Sequence, residues 1–211
     1  MDIESEKPST KQRIVDSAIE LFARKGYTES TIRELAGSVG IKEASLYNHF
    51  PSKNAILEYI LEDYSNIVIA SCDEEKLRLL KDTPSADGFI ACLKTVFPKG
   101  REEYYLKELY VILQEQHRNP IVRKFVTDEF ILRNEQVIKK IINTLKEYGV
   151  LKPETDPDFW AKTHSSLLYS FASRHMMGIG DNKAEFEGRG MTELLRNMYD
   201  LLFITCGVSK I

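Results

Sequence analysis

Long apolar runs are missing from this chain: its longest aliphatic stretches, such as residues 67–70, fall far short of the roughly 20 apolar residues that cross a bilayer. Cysteine is scarce. Cys72, Cys92 and Cys206 are odd in number and widely spaced, with no CxxC pair, which argues against a disulfide framework or a cysteine zinc site and predicts free, buried thiols. Cationic excess is lacking too, because the formal net charge is −3, and bulk charge alone does not advertise a nucleic-acid partner. No glycine-rich phosphate loop, nucleophile elbow or HExxH occurs, and the carboxylate groups Glu102-Glu103 and Asp73-Glu74-Glu75 read as solvated helix faces. An enzyme is therefore not expected, nor is a cofactor. Asp2, Glu4 and Glu6 stand where a secretory signal carries basic residues, so a cytoplasmic protein is expected. Strand-like alternation, internal repeats and low-complexity tracts are also wanting.

What the chain does have is helical periodicity, with 43% hydrophobic and 29% charged residues in 211. Ser9 with Gln12 three residues on predicts a cap for a first helix that ends at Lys25, where Gly26 supplies a stop. Ser52 caps a helix whose apolar residues Ile56, Leu57, Ile60, Leu61, Tyr64, Ile67 and Val68 keep the 3.6 period over about four turns. The segment from Asp73 to Asp82 reads as a charged connection, and Thr83-Pro84-Ser85 as a break before a helix near Asp87 to Phe97. After a second break at Pro98-Lys99-Gly100, residues 101–116 are expected to be helical. Asn119-Pro120 opens a long helix ending at Gly149, and Asp156-Pro157 opens another running to about Met177. Gly178, Gly180, Gly188 and Gly190 then mark a loop before a last helix over 191–206.

Residues 31–53, TIRELAGSVGIKEASLYNHFPSK, carry the most information. Thr31 and Glu34 form a capping box, so a helix begins there. Ile32, Leu35 and Ala36 face inward, Ser38-Val39-Gly40 makes a short turn, and Ile41 plugs the angle between two helices. A second helix, roughly 42–50, buries Leu46 and Phe50 and leaves Lys42, Ser45, Tyr47, Asn48 and His49 outside. Two helices hinged at a glycine, the second one polar outside, are the layout of a helix-turn-helix. Charge agrees locally: residues 10–53 carry seven basic and five acidic side chains, +2, against −5 elsewhere, and an acidic body can orient a basic end toward DNA.

The run Gly40-Ile41, Leu46-Tyr47, His49-Phe50 and Ser52-Lys53 resembles the signature of the TetR/AcrR family of transcriptional regulators. Upstream, Ile14, Ala18, Leu21, Phe22, Gly26-Tyr27 and the run TIRELA at 31–36 are similar to the same family, so the match spans about the first 60 residues. The resemblance implies an all-α chain: a three-helix helix-turn-helix DNA-binding domain over 1–53, and a larger helical domain over 54–211 for effector binding and dimerisation. It implies that Tyr47 and Lys53 contact phosphates and that Thr31 and Ser45 touch phosphate or base edges. Arg33 can reach a guanine, and Lys42, Glu43, Ala44 and Asn48 form the variable reading surface, on which Asn suits adenine and Ala a thymine methyl. Glu43 departs from what phosphates favour unless it accepts from cytosine. His49, beside that surface, matches a position that packs near the backbone.

For the larger domain the resemblance implies an inducer held between helices. Tyr104, Tyr105, Tyr110, Phe125, Phe130, Trp160, Tyr169, Phe171, His175, Met176 and Met177 are amphipathic or polarizable side chains suited to a mostly apolar small molecule, the plain alternative being a core. On the last two helices Leu167 and Leu168, and Leu194, Leu195, Met198, Leu201 and Leu202, spread over a wide arc, which the resemblance reads as a homodimer interface and which otherwise completes a monomeric core. His164 and His175 are 11 residues apart, roughly 16 Å along one helix, and cannot share one ion, so no metal is expected. The expected partners are thus operator DNA, a second copy of the chain and a small-molecule effector, with no membrane. The expected activity is repression from a palindromic operator relieved by ligand, against an architectural or partner-binding helical dimer, or a small helical enzyme.

Overall fold

Ser9 accepts a hydrogen bond from the Gln12 amide at 3.1 Å and so fixes the start of α1 (Thr10–Lys25), which buries Ile14, Val15, Ala18, Ile19, Leu21 and Phe22 along one stripe. The computed structural model of the protein describes residues 8–68, 72–93, 102–176 and 190–208; the side chains of residues 67, 68, 102, 103, 106, 175 and 176 stand outside that description. α2 (Ile32–Val39) follows its Thr31 cap and buries Leu35, Ala36 and Val39. Ser38 and Val39 remain helical, contrary to the expected turn, because Gly40 alone, at φ 73°, makes the left-handed stop. The Ile41 amide then reaches back to the Ala36 carbonyl at 3.0 Å.

α3 is shorter than its sequence suggests, spanning only Glu43–Tyr47. Lys42 is extended and serves as the cap position, while the approach of Pro51 disfavours helix at Phe50. Ser52 accepts from the Ala55 amide at 3.1 Å and starts α4 (Lys53–Val68), whose Ile56, Leu57, Ile60, Leu61 and Tyr64 are buried as the period required.

The stretch expected as a charged connection is instead α5 (Glu74–Leu79). Asp73 accepts from the Lys76 amide, and Leu77 and Leu80 are buried, so a local cap and two leucines outweigh the charge density. α6 (Ala86–Cys92) starts at its Ser85 cap and stops short of the expected end, since Leu93 is extended and bridges Cys72; residues 94–100, with the rest of the expected helix and the expected break, lie outside the described residues. α7 (Glu102–Glu115) is followed by α8 (Pro120–Phe125), where the Asn119 side chain accepts from the Ile121 amide at 3.0 Å. The long helix expected to end at Gly149 is present as three joined pieces: α8, a π-helical stretch Val126–Arg133, and α9 (Asn134–Glu147). Asp156 accepts from the amides of Asp158 and Phe159 to open α10 (Pro157–Met176), and α11 spans Gly190–Cys206. The expected glycine loop lies almost wholly outside the described residues. Among those residues, strand pairing is limited to the isolated bridges Cys72 with Leu93 and Leu151 with Gly207, and no helix is long and apolar enough to cross a membrane.

The chain divides into two compact units, Met1–Asn66 with Glu103–Phe125, and Ile67–Glu102 with Val126–Ile211. In the first, α1 to α4 share their unit with most of α7 and with α8. In the second, one core gathers Leu77, Leu80, Phe89, Ile138, Ile141, Ile142, Leu145, Trp160, Leu195, Met198, Tyr199 and Leu202. The Tyr199 hydroxyl lies 2.7 Å from His164 Nδ1, and burial lowers the His164 pKa to about 4, so that this imidazole is neutral and committed to the core.

Candidate nucleic-acid interface

Two helices with a rigid underside form the candidate surface. The capping box at Thr31 is complete: Thr31 Oγ1 accepts from the Glu34 amide at 3.2 Å, and Glu34 Oε2 accepts from the Thr31 amide at 3.0 Å and the Thr31 hydroxyl at 2.9 Å. Lys25, in the last turn of α1, pairs with Glu34 Oε1 at 2.5 Å. The Lys25 ammonium, the Thr31 hydroxyl and the Thr31 amide together hold the Glu34 carboxyl at about 2. Arg13 donates to the Val39 carbonyl at 2.5 Å, which satisfies an acceptor at the end of α2. Lys11 lies over the rings of Phe50 and Tyr59, at 5.5 and 4.1 Å. These basic groups therefore hold the helices to one another.

On the outside the chemistry is unspent. Arg33, Lys42, Glu43, Ala44, Asn48 and His49 are exposed, Tyr47 is 49% exposed, and Ser45 is half-buried. No described residue bonds to a side chain of α3 or its flanks Lys42, Asn48 and His49. His49 points to solvent, which corrects the expectation that it packs: the chain has left the helix at Asn48, and the inward place is taken by Phe50. Glu43 sits in the first turn of α3, where a carboxylate suits the helix dipole.

Lys53 and Thr31 are placed differently from the rest. The Lys53 ammonium donates to the carbonyls of Tyr27 and Ser30, both at 2.7 Å, and approaches that of Thr28 at 3.4 Å, with the Tyr27 ring 4.4 Å below it. Thr31 is exposed, yet its hydroxyl is engaged by Glu34. The sequence reading also missed Glu115, the last residue of α7, which is 1% exposed and accepts from the Tyr27 amide at 3.1 Å. The signal was there: Glu108 and Glu115 fall on the same apolar face of α7 as Tyr105 and Ile112, where a carboxylate must have a purpose.

The aromatic residues expected at a ligand site fall in both units. Tyr104, Tyr105, Tyr110 and Phe125 belong to the first, where the rings of Tyr104 and Tyr105 meet edge to face at 5.1 Å and Phe125 meets Tyr64. Burial, and then the Glu108 carboxylate, raises the pKa of both Tyr104 and Tyr64. Phe130, Trp160, Tyr169 and Phe171 belong to the second unit. Phe130 is buried and Trp160 is spent on the core, while Tyr169 and Phe171 are half-buried. The side chains of His175 and Met176, and Met177 altogether, lie outside the described residues.

Part of the expected dimer face turns inward. Leu195, Met198 and Leu202 are 8%, 7% and 0% exposed inside their own core, and Leu167, Leu168 and Leu194 are half-buried. The apolar side chains that α11 leaves in water are Leu201 and Ile204, 53% and 79% exposed, with Val208 beyond its end; α10 adds Phe159. A wide apolar arc does not say which of its sides faces the protein, and here the inward side took Leu195, Met198 and Leu202 and left Leu201 outside.

Residues 14–60 match the model for bacterial regulatory proteins of the tetR family. The negative transcriptional regulator IcaR of the biofilm operon icaADBC from Staphylococcus aureus (strain Newman) is 48% identical over 62 residues, 28% of this chain and 33% of that protein. IcaR from Staphylococcus epidermidis is 39% identical over 104 residues, 49% of this chain and 52% of its own. The chain thus spans a third to a half of the curated relatives it matches. The fold is shared with the TetR family transcriptional regulator PfmR from Thermus thermophilus, at TM-score 0.60 and 24% identity, over 94% of this chain and 100% of that one. The capping box, the glycine stop and the exposed side chains of α3 all lie inside residues 14–60, the segment that is similar to bacterial regulatory proteins of the tetR family.

Proposed function

We propose that this protein is a sequence-specific DNA-binding transcriptional regulator, a cytoplasmic homodimeric repressor that leaves a palindromic operator when a small molecule binds, and not an enzyme. The observation that carries this reading is the unspent polar surface of α3 and its flanks, set on helices whose own polar groups are tied to one another. Such a helix lies in the major groove: Asn48 suits an adenine edge and Arg33 a guanine, while Tyr47 donates to phosphate. The names of the Staphylococcus relatives, negative regulators of an operon, favour repression.

Two copies are needed to read two half-sites about 34 to 36 Å apart. Leu201, Ile204 and Phe159 supply the exposed apolar side chains for that pairing; of these the sequence pointed only to Leu201. The effector is a mostly apolar small molecule met by Tyr104, Tyr105, Tyr110 and Phe125, or by Phe130, Tyr169 and Phe171. It acts through α4, which begins beside the reading helix and whose last residues fall in the other unit. A coupling of about 1 to 3 kcal/mol shifts occupancy about 5- to 150-fold.

Selection of bound duplexes from a random pool, followed by competition with nonspecific DNA, tests the reading. Enrichment of a palindrome with half-site centres one turn apart is expected. A folded dimer that enriches nothing is an architectural or partner-binding protein instead. Ile204→Glu should yield monomers in sedimentation; a variant that stays dimeric removes α11 from the interface.

A further inference from the structure

Helix α7 follows α1 along its length and in the same direction. Gln12 donates to the Tyr104 hydroxyl at 3.4 Å near one end, Lys107 pairs with Glu20 at 2.5 Å, and Glu115 accepts from the Tyr27 amide at 3.1 Å at the other. The C-terminal ends of the two helices therefore abut: a Cβ placed on Gly26, the residue after α1, would stand 3.7 Å from Glu115 Oε1. That end is also the one beside Lys53, whose ammonium donates to the carbonyls of Tyr27 and Ser30, both at 2.7 Å. Burial lowers the Lys53 pKa, and among the carboxylates that oppose this Glu115 acts most strongly, ahead of Glu29 and Glu34. In the proposed function Lys53 lies at a phosphate, so the end of α7 falls on the DNA side of its unit.

The chain there differs from the rest in charge. Residues 116–127 hold Arg118, Arg123 and Lys124 and no acidic residue, in a chain whose net charge is −3. The turn that carries Arg118 is firmly held. The amides of Arg118 and Asn119 donate to the Glu115 carbonyl at 3.0 and 2.8 Å, and Arg123 reaches back from α8 to the carbonyls of Gln116 and His117, at 3.3 and 2.8 Å. Arg123 is thus used to satisfy acceptors left open at the end of α7. Arg118 is not: it is exposed, and its side chain bonds to no described residue. The same holds for Arg24 in the last turn of α1, whose neighbour Lys25 is taken by Glu34. Glu29, exposed in the loop after α1, is the carboxylate that opposes them. Each arginine gains a little from the helix dipole at its own C-terminal end. Two guanidinium groups left in water, one from each helix of a rigid junction, also have the chemistry that phosphates select.

We propose that the junction of α1 and α7 is a second contact with DNA, in which Arg118 and Arg24 bind backbone phosphates of the duplex that α3 reads. The inference rests on the proposed function. Such a contact carries no sequence information; it fixes how the first unit sits on the duplex and adds affinity that salt removes. Because Arg118 stands on the turn after α7, DNA then holds α7 directly, as well as α3.

The test compares the full-length wild type with Arg118→Gln, Arg24→Gln, Arg118→Lys and Arg78→Gln, on the palindrome enriched by the wild type and on random-sequence duplex, over a series of salt concentrations. Arg78 is an exposed arginine of the other unit, so Arg78→Gln repeats the change in net charge elsewhere in the chain. Arg118→Gln and Arg24→Gln should each make the slope of log affinity on log salt shallower by about 0.9, on both duplexes. Their deficit against the wild type then narrows by about 3.5-fold as salt rises from about 50 to 200 mM. The ratio of palindrome to random affinity should hold. Arg118→Lys should keep the wild-type slope, because a point charge suffices for one phosphate. Arg78→Gln should keep it too, and the urea midpoints of these exposed variants should match the wild type.

A wild-type slope in Arg118→Gln or in Arg24→Gln overturns the inference. So does a slope in Arg78→Gln that falls by the same amount, since net charge alone then explains the effect, or a loss confined to the palindrome, which marks a base contact. A wild type that enriches no palindrome fails earlier and takes the regulator reading with it.

Discussion

The two helices of the helix-turn-helix treat their polar groups in opposite ways. On α2 and its approach, Arg13, Lys25, Thr31, Glu34 and Lys53 are all bonded to other parts of the chain. On α3 and its flanks, Lys42, Glu43, Tyr47, Asn48 and His49 have no bonding partner among the described residues, and the helix lacks even a side-chain cap at its start. A five-residue helix is far below the length that is stable alone. It is held by Leu46 and Phe50 underneath, 0% and 3% exposed, and by the glycine stop before it. Apart from Arg33, which is exposed on α2, rigidity lies in one helix and recognition chemistry in the other. A charge in this region is therefore weak evidence of contact with DNA until its partners are known.

Breaking the support common to both helices should have the largest effect. Leu46→Ala removes the one fully buried side chain of α3 and should cost about 2 to 5 kcal/mol of stability. Urea unfolding measures this, and operator binding should be lost with it; a variant that still binds with wild-type affinity shows that α3 is held by something other than Leu46. Next comes the unspent side. Asn48→Ala should leave the unfolding midpoint unchanged and change base preference at one position of each half-site by about 1 to 3 kcal/mol. Repeating the duplex selection reads this out, and an unchanged consensus removes Asn48 from the reading surface.

How much of this contrast was legible depended on how far apart in the chain the partners lie. The caps were readable because their chemistry is local: Ser9 with Gln12, Thr31 with Glu34, Ser52 with Ala55, and the proline starts at Pro120 and Pro157. The same local logic supplies a missed cap at Asp73, where charge density hid a short helix. The bonds of Lys53 were not legible because its acceptors lie 23 and 26 residues earlier, and the apolar face of α7 marks Glu115 without naming the amide it holds, 88 residues away. Periodicity likewise marked the apolar arc of α11 without telling Leu202, fully buried, from Ile204, 79% exposed. Side-chain pattern gives the helix and its apolar width; which neighbour fills that width depends on tertiary packing.

A smaller loss is expected on the bonded side. Thr31→Ala deletes the cap of α2 and should lower stability by about 0.5 to 2 kcal/mol, measured in urea at neutral pH. If the cap sets the register of α2, specific affinity falls with it while the salt slope holds. An intact unfolding midpoint means that the Lys25 and Glu34 pair holds the helix start without the cap.

The smallest effect lies in that pair itself. Glu34→Gln keeps a capping-box acceptor at the third position of the helix and removes only the charge. The folded protein holds the Glu34 carboxyl at about 2 against an ordinary 4.5, chiefly through Lys25 and then Thr31, so the carboxylate is favoured in the folded chain. The sign follows: its contribution is complete above pH 4.5 and disappears as the pH falls toward 2. Both groups of the pair are exposed, so the contribution is modest and weakens further with salt. The urea midpoints of wild type and Glu34→Gln should therefore differ at neutral pH, converge between pH 4.5 and 2, and draw together at high salt. Midpoints that run parallel through that window mean that Glu34 is no more tied down than the side chains of α3, and the division between a bonded helix and an unspent one fails at its most exposed point.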